Sequence, residues 1–349
     1  MRLSICVGAL IGGTSLIAGE MMKGEEAFNL DVQMAKRAMC EHRADGSCYN
    51  GNAPSFSRNQ ILKQVRYRME ISEVLKQTSL PSPFVLSADV VKQITEISGI
   101  EVDALLQLLV PVAAVHAIPP ISNYLVGAAA LGESGAIYLG VNLEFLGIPL
   151  NECVHGEQFA FINARKHGER SIVAIALSAA PCGHCRQFMN EMGSSADLQI
   201  FTPHADPITL SALLPASFGP QDLGLSGNLL AIPEHDGLFL YPESSLAARA
   251  FEAARASYAP YSDSPSGVAL RTREGNVYSG SYLENAAFNP SVSPLQSALV
   301  SLVAELSRYD AIAEAILVER QGAKVSQEAM TREILKNIAP DAAFSVRRF

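Results

Sequence analysis

The stretch PISNYLVGAAALGESGAIYLGVNLE at residues 120–144 recurs, in altered form, as PYSDSPSGVALRTREGNVYSGSYLE at residues 260–284. The two segments align without a gap at a constant offset of 140 residues. The positions that are identical in both include Pro120, Ser122, Gly127, Ala129, Tyr138, Gly140, Leu143 and Glu144. Because self-similarity at a fixed offset is typical of a duplicated structural unit, we expect two related domains.

The first copy has the pattern of an α/β unit. Apolar residues 125–131 and 136–141 flank the turn sequence Gly132-Glu133-Ser134-Gly135, which predicts a β-hairpin. The elements predicted around it are helices over 87–98, 101–116, about 155–167 and 185–192, and a buried strand over Ile172–Leu177. We therefore expect an α/β fold in which each domain is a mixed sheet with helices on both faces.

The composition is that of a globular protein without a basic surface. The 349 residues carry 26 Lys and Arg against 35 Asp and Glu, a formal charge of -9, and the pI is about 5.3. This balance disfavours binding to nucleic-acid phosphates or anionic lipid. Hydrophobic residues make up 48% and charged residues 17%, so the chain can bury a large core. Six cysteines are too few for a disulfide scaffold, and a soluble enzyme is the predicted class.

The N-terminal part of the chain, residues 1–83, is predicted to be an extension. It contains an uncharged stretch at residues 3–19, which is either a targeting segment or an apolar N-terminal piece, and which is short for a membrane-spanning helix. We expect the first domain at 84–205, a linker at 206–248 and the second domain at 249–349. The expected location is the cytoplasm, with no membrane or nucleic acid as partner.

Two short motifs in the first copy carry metal-binding residue types. His155-Gly156-Glu157 is followed, after 23 residues, by Pro181-Cys182-Gly183-His184-Cys185. One imidazole and two thiolates suit Zn²⁺, and three protein ligands leave a coordination position for water. The cysteines lie at a predicted helix start, where unpaired N–H groups favour the thiolate form. Glu157 is placed to move protons without binding the ion, and the two motifs together are the general signature of zinc-dependent deaminases.

The second copy lacks these residues. At the offset of 140, the positions of His155, Glu157, Cys182 and Cys185 are occupied by Leu295, Ser297, Gly322 and Val325. Only the first domain is therefore expected to be catalytic, and the second is expected to be a degenerate copy.

From about residue 84 to residue 349 the chain resembles the cytidine deaminase family, in the two-domain homodimeric form of enteric bacteria and plants. The segments that carry the resemblance are Asn142-Leu143-Glu144, Gly156-Glu157-Gln158, residues 181–191, Phe218-Gly219-Pro220, and residues 258–267 and 279–290. The resemblance implies a duplicated three-layer α/β/α fold, with one catalytic and one zinc-less domain, in a homodimer. It also implies hydrolytic deamination of cytidine and 2′-deoxycytidine, by water activated on Zn²⁺, to uridine and 2′-deoxyuridine plus ammonia in pyrimidine salvage.

The resemblance also implies roles for individual residues. His155, Cys182 and Cys185 would bind zinc, and Glu157 would be the proton shuttle. The implied substrate residues are Asn142 and Glu144 at the ribose 3′-hydroxyl, Tyr124 and Phe218 as pocket walls, Phe218 from the partner subunit, and Leu143, Gly156 and Ala180. Two of them depart from the family pattern, since Gly156 replaces an Ala and Tyr124 replaces a Phe. Glycine keeps the backbone donor with less rigidity, and the tyrosine hydroxyl needs a partner or water.

Three other interpretations of the motifs stay open. Cys-Gly-His-Cys is also the active-site tetrapeptide of protein disulfide isomerases, so a thiol-disulfide oxidoreductase is one alternative. His184 as a fourth ligand would make the zinc structural and the protein an interaction module. A polynucleotide-editing deaminase shares the signature, but it needs a basic groove, which the net charge of -9 disfavours.

Overall fold

The computed structural model describes residues 82–349, except Ser194 and residues 234–242. Further upstream it describes one antiparallel strand pair, Glu41–His42 with Cys48–Tyr49. The stretch 3–19 and the rest of the predicted extension lie outside the described residues.

Two helices precede the hairpin, α1 (Ala88–Ser98) and α2 (Val102–Ala114), and both lie where they were predicted. Gly99, with φ of +66°, follows α1 as a left-handed residue that ends the helix. Within the described part of the chain, no single helix is long and apolar enough to cross a membrane; α1 and α2 meet that criterion only when taken together.

The first domain is built on a six-stranded mixed sheet with the strand order β1-β3-β2-β4-β5-β6. The strands are β1 (Val85–Leu86), β2 (Gly127–Gly132), β3 (Ile137–Val141), β4 (Ile172–Leu177), β5 (Gln199–Phe201) and β6 (Ile208–Thr209). Strands β4 and β5 are parallel and the other neighbours are antiparallel. The predicted hairpin is confirmed as β2 and β3, and β4 has the predicted bounds. After the hairpin, the first domain contains the helices α3 (Gly156–Lys166), α4 (Gly183–Asn190) and the short α5 (Leu210–Leu213).

Two glycines show that helices cover both faces of this sheet. A Cβ on Gly127 would clash with the carbonyl oxygen of Val110 in α2, and a Cβ on Gly140 would clash with the carbonyl oxygen of Gly156 in α3. Gly127 pairs with Val141, the neighbour of Gly140, and successive residues of a strand point to opposite faces. Helices α2 and α3 therefore lie on opposite sides of the sheet, which gives the predicted three-layer α/β/α arrangement.

The second domain repeats this architecture on a four-stranded sheet with the order β8-β7-β9-β10. Its elements are α6 (Ser245–Arg255), β7 (Ser266–Thr272), β8 (Val277–Ser281), α7 (Pro294–Ala304), β9 (Ile312–Glu319), α8 (Glu328–Ile338) and β10 (Ala343–Arg348). Only β9 and β10 are parallel. Gly267 packs against α6 and Gly280 against α7, as Gly127 and Gly140 pack in the first domain. The predicted duplication of the fold is confirmed.

Helices α3 and α7 begin in the same way. The residue before α3 is His155, and the residue before α7 is Ser293. The backbone N–H of His155 donates to Oε1 of Gln158 at 3.0 Å, and that of Ser293 donates to Oε1 of Gln296 at 2.7 Å. A side chain that reaches back three residues in this way is half of a capping box, which fixes where a helix starts.

The predicted equivalence of the metal-site positions is therefore wrong by two residues. His155 corresponds to Ser293 rather than Leu295, and Glu157 corresponds to Leu295 rather than Ser297. The loop before the helix is two residues shorter in the second copy, and the loop after it is two residues longer, which restores the offset of 140 at β9. Neither serine nor leucine supplies a zinc ligand, so the start of α7 still lacks the metal-binding and proton-transfer residues of the first copy.

Candidate metal centre

Three side chains from two helix starts converge in the first domain. His155 precedes α3, Cys182 precedes α4, and Cys185 lies in the first turn of α4. Nδ1 of His155 is 3.5 Å from Sγ of Cys182 and 3.3 Å from Sγ of Cys185, and the two sulfurs are 3.6 Å apart. Among the described residues, this is the one group of three or more His, Cys, Asp or Glu side chains that could hold a metal ion.

These separations fit a tetrahedral zinc site. With Zn–S bonds of about 2.3 Å and Zn–N bonds of about 2.0 Å, tetrahedral angles place two sulfurs about 3.8 Å apart and a sulfur and a nitrogen about 3.5 Å apart. The observed separations lie within about 0.3 Å of those values. Both cysteines are free thiols, so the donor set of one nitrogen and two sulfurs is available.

The three side chains polarise one another. The hydrogen bonds with Cys185 and His155 lower the pKa of Cys182 to about 3. The contact with Cys182, together with burial, raises the pKa of Cys185, and the hydrogen bond with Cys182 raises the pKa of His155. The cluster thus favours an imidazolium–thiolate pair, and a metal cation that binds here would displace protons.

Glu157 lies beside the ligands and is not one of them. Its side chain is 6% exposed and contacts Cys185, and burial raises the pKa of its carboxyl group. A buried carboxyl group with a raised pKa takes up a proton more readily than an exposed one, which suits proton transfer. The position agrees with the role of proton shuttle.

His184, the alternative fourth ligand, is engaged elsewhere. The amide of Gln158 is oriented by its Oε1, which accepts the backbone N–H of His155. Its Nε2 therefore faces Nε2 of His184 at 3.1 Å, and because an amide nitrogen only donates, the imidazole nitrogen accepts. The His184 ring also stacks on the His155 ring, with centroids 5.0 Å apart. The geometry supports three protein ligands rather than a closed four-ligand site.

Asn142 holds the loop that carries Tyr124. Its Oδ1 accepts the backbone N–H of Val126, and its Nδ2 donates to the carbonyl oxygen of Tyr124, both at 3.0 Å. The Tyr124 side chain is 43% exposed. Leu143 is fully buried, and its backbone pairs with Val154 through both its N–H and its C=O. Leu143 therefore supports the segment from the core side, Asn142 is also buried, and Tyr124 lies at the surface.

Glu144 is bound to the turn in front of the hairpin. Its Oε2 accepts the backbone N–H groups of Ile121 and Ser122, both at 2.9 Å, and its Oε1 accepts the Ser122 hydroxyl. Burial raises the pKa of Glu144, but the hydrogen bonds lower it by more, so the pKa lies below its usual value. Glu284 makes the same three contacts with residues 261–262 in the second domain. Since a carboxylate has about four acceptor sites, one remains for a ligand.

Gly156, Ala180 and Phe218 are the other predicted site residues. Gly156 is the first residue of α3, and a Cβ there would lie 2.9 Å from a methyl carbon of Val126. Ala180 is exposed in the loop before α4. The Phe218 side chain is 48% exposed, and its carbonyl oxygen accepts hydrogen bonds of 2.8 and 3.1 Å from two side chains of α4. Phe218 therefore lies against the cysteine-bearing helix of its own chain.

The sequence did not predict the contacts that the second domain makes with both metal-site helices. Gln158 in α3 donates through Nε2 to the carbonyl oxygen of Pro290 at 3.4 Å, and Nδ2 of Asn285 donates to the carbonyl oxygen of Gln187 in α4 at 3.0 Å. The spacing of the capping box could have indicated the role of Gln158. Contacts between residues 132 and 98 positions apart leave no such local signal.

Comparisons with known proteins agree with the duplication and with the metal. Residues 101–200 and residues 210–332 each match the family described as "Cytidine and deoxycytidylate deaminase zinc-binding region". This description and the His155, Cys182 and Cys185 group together assign Zn²⁺ as the metal of the site.

Known relatives match about 70% of this chain. A cytidine deaminase of Yersinia pestis (strain Pestoides F) is 47% identical over 245 residues, which are 70% of this chain and 83% of the relative. A cytidine deaminase of Yersinia pseudotuberculosis serotype IB (strain PB1/+) is 46% identical over the same shares. The solved structure of cytidine deaminase from Mycobacterium tuberculosis is 32% identical, with a TM-score of 0.31, and covers 33% of this chain and 96% of that one. On the family matches and the 47% identity, the chain belongs to the cytidine deaminase family.

Proposed function

We propose that this protein catalyses the hydrolytic deamination of cytidine and 2′-deoxycytidine to uridine and 2′-deoxyuridine, with release of ammonia. The observation that carries the proposal is the convergence of His155, Cys182 and Cys185 beside the buried carboxyl group of Glu157. What bound Zn²⁺ supplies is Lewis acidity, which lowers the pKa of a coordinated water to about 7. The other interpretations, a thiol-disulfide oxidoreductase and a polynucleotide-editing deaminase, are not favoured by the relatives of this chain.

Glu157 moves the protons of the reaction. Water adds at C4 of the pyrimidine, and the carboxylate of Glu157 takes a proton from that water and passes it to N3. Glu157 then takes the proton of the new hydroxyl on C4 and passes it to the amino group on C4, the C4–N bond breaks, and C4 becomes a carbonyl carbon as ammonia leaves. The burial of Glu157 keeps bulk water from competing for these protons.

Recognition of the nucleoside is assigned to the loop and turn around β2. Asn142 and Glu144 hold the ribose 3′-hydroxyl. That hydroxyl donates to the acceptor site of Glu144 that the turn leaves unused. Tyr124 forms a wall of the pocket, and the backbone N–H of Gly156 faces the pyrimidine carbonyl. A site built to bind a hydroxyl strongly rejects ligands that lack it, so free cytosine is expected to be a poor substrate.

The assembly is assigned as a homodimer in the cytoplasm, acting in pyrimidine salvage, with no membrane or nucleic acid as partner. Phe218 is exposed on the linker, and we assign its ring to the active site of the partner subunit. The degenerate second domain, residues 249–349, packs against the catalytic domain, residues 84–205, within each chain. Light scattering at monomer mass with full activity would contradict the assignment.

The experiment that tests the proposed function combines zinc analysis with an assay of the purified protein. We expect one zinc per chain and a fall in ultraviolet absorbance as cytidine becomes uridine. Full zinc occupancy without conversion of either nucleoside would refute the proposed function. Reversible oxidation of Cys182 and Cys185 with turnover in a reductase assay would favour the oxidoreductase.

A further inference from the structure

Helix α4 carries two of the three zinc ligands at its start and a buried carboxylate at its end. Cys182 and Cys185 lie at the N-terminal end, and Glu191 is the residue that follows the last helical residue, Asn190. The Glu191 side chain is 0% exposed. A buried carboxylate requires hydrogen-bond donors, and its donors show what holds this end of the helix.

In the described structure, all the donors to the side-chain carboxylate of Glu191 come from the second domain. Oε1 accepts the hydroxyl of Tyr258 at 2.8 Å and the hydroxyl of Tyr261, and Oε2 accepts the backbone N–H of Ala286 at 2.8 Å. Next to it, Nδ2 of the fully buried Asn285 donates to the carbonyl oxygen of Gln187 in the last turn of α4. The second domain therefore binds the C-terminal end of this helix through a carboxylate and a carbonyl group.

The helix connects this contact to the metal centre. Eight residues at a rise of about 1.5 Å form a rod of about 12 Å, which moves as a unit when one end is displaced. A zinc site tolerates shifts in its ligand distances of only about 0.2 Å. A small tilt of α4 would separate both sulfurs from Nδ1 of His155, which belongs to another helix.

We propose that Glu191 is a positioning residue for the zinc centre, through which the degenerate second domain holds the two-cysteine helix in register with His155. The second domain then contributes to a metal site without a ligand of its own. The proposal rests on the metal centre of the proposed function but not on the reaction, because retention of zinc is measured without a nucleoside.

A second buried carboxylate provides a matched control. Glu169 is 5% exposed and also accepts two hydroxyls, from Ser134 and Tyr138, and one backbone N–H, from Arg170. All of its donors belong to its own domain and lie at the hairpin end of the sheet. Loss of the charge should disturb local packing similarly at both sites, whereas only Glu191 is joined to the cysteine-bearing helix.

The test compares the zinc-loaded variants Glu191→Gln and Glu169→Gln with the parent protein. Release of zinc to a colorimetric chelator is followed at a temperature well below unfolding, and unfolding in urea is measured in parallel. We expect zinc release from Glu191→Gln to be about 10-fold faster or more, as for other residues that orient ligands, and release from Glu169→Gln to stay within about 2-fold of the parent. Equal acceleration in both variants, or none in Glu191→Gln, would overturn the proposal.

Two further measurements keep the test decisive. Substitution of Co²⁺ for zinc reports ligand geometry, and its visible absorption should change in Glu191→Gln and not in Glu169→Gln. If Glu191→Gln fails to fold, Tyr261→Phe removes one donor and should accelerate zinc release to a smaller extent; an unchanged rate and spectrum would refute the proposal. If zinc release and the Co²⁺ spectra change as expected but the parent protein does not deaminate nucleosides, the proposed function alone is refuted.

Discussion

The duplicated fold offers a matched pair of variants, Glu144→Gln and Glu284→Gln, that separates substrate binding from folding. Each carboxylate accepts two backbone N–H groups and one serine hydroxyl from the equivalent turn of its own domain. The amide oxygen of glutamine can still accept both N–H groups, and the serine hydroxyl can rotate to accept from the amide nitrogen. The two substitutions therefore change the same local contacts.

The expected magnitudes follow from this arrangement. Hydrogen bonds to charged groups contribute about 1.5–3 kcal/mol and those between neutral groups about 0.5–1.5 kcal/mol, so each variant should lose about 1–3 kcal/mol of unfolding free energy. Only Glu144 is assigned to the ribose 3′-hydroxyl. Loss of that charged hydrogen bond, about 1.5–2 kcal/mol, should lower kcat/KM for cytidine roughly 10- to 30-fold in Glu144→Gln and leave it unchanged in Glu284→Gln.

The assay measures initial rates of cytidine conversion over a range of concentrations, together with urea unfolding of each variant. 3′-Deoxycytidine completes the comparison, because it lacks the hydroxyl assigned to Glu144. The parent and Glu284→Gln should prefer cytidine over this analogue, and Glu144→Gln should lose most of that preference. Equal losses of kcat/KM in the two variants, or a preference that survives in Glu144→Gln, would refute the assignment.

Four further predictions concern the same domain. Glu157→Gln should keep one zinc per chain and lower kcat about 1000-fold or more, and near-normal turnover would exclude the shuttle role. Cys185→Ser should lose both zinc and activity on dialysis, and zinc retained at one per chain would exclude Cys185 as a ligand. Gly140→Ala should lower the unfolding free energy by about 1–3 kcal/mol in a urea titration, because a Cβ would clash with the carbonyl oxygen of Gly156; an unchanged midpoint would contradict the close packing. Hydrogen bonds hold the pKa of Glu144 below its usual 4.5, so its carboxylate should contribute fully to cytidine binding above pH 4.5 and lose that contribution only as the pH falls through the lowered pKa. The KM for cytidine should therefore not depend on Glu144 between about pH 7 and pH 5.5. A KM that rises over this range in the parent but not in Glu144→Gln would contradict the prediction.

Local patterns in the sequence predicted most of the elements that surround the metal. The hairpin and β4 were correct because apolar runs bounded by glycine and serine turns are a local signal. The three predicted ligands lie together because their spacing places them at two helix starts. The register of α7 was wrong because an offset measured on residues 120–144 does not detect a loop that shortens by two residues and a later loop that lengthens by two.

The contacts between the domains were not predictable in this way. Glu191 was part of a quoted motif, but its partners Tyr258 and Tyr261 lie 67 and 70 positions away. Their pairing depends on how two folded domains dock, which no local pattern encodes. Gln158 was likewise quoted without a role, although it orients both His184 and the backbone of His155.

The shared start of α3 and α7 determines how a metal centre would be transplanted into the second domain. A graft designed by constant offset would place histidine at Leu295, a fully buried core position, whereas the capping geometry requires Ser293→His with Leu295→Glu. The sulfur ligands are harder to install, because α8 begins only at Glu328, beyond a longer loop than the one that precedes α4. A second metal centre would therefore need that loop shortened as well as new ligands, so point substitutions alone would not install one in this half of the molecule.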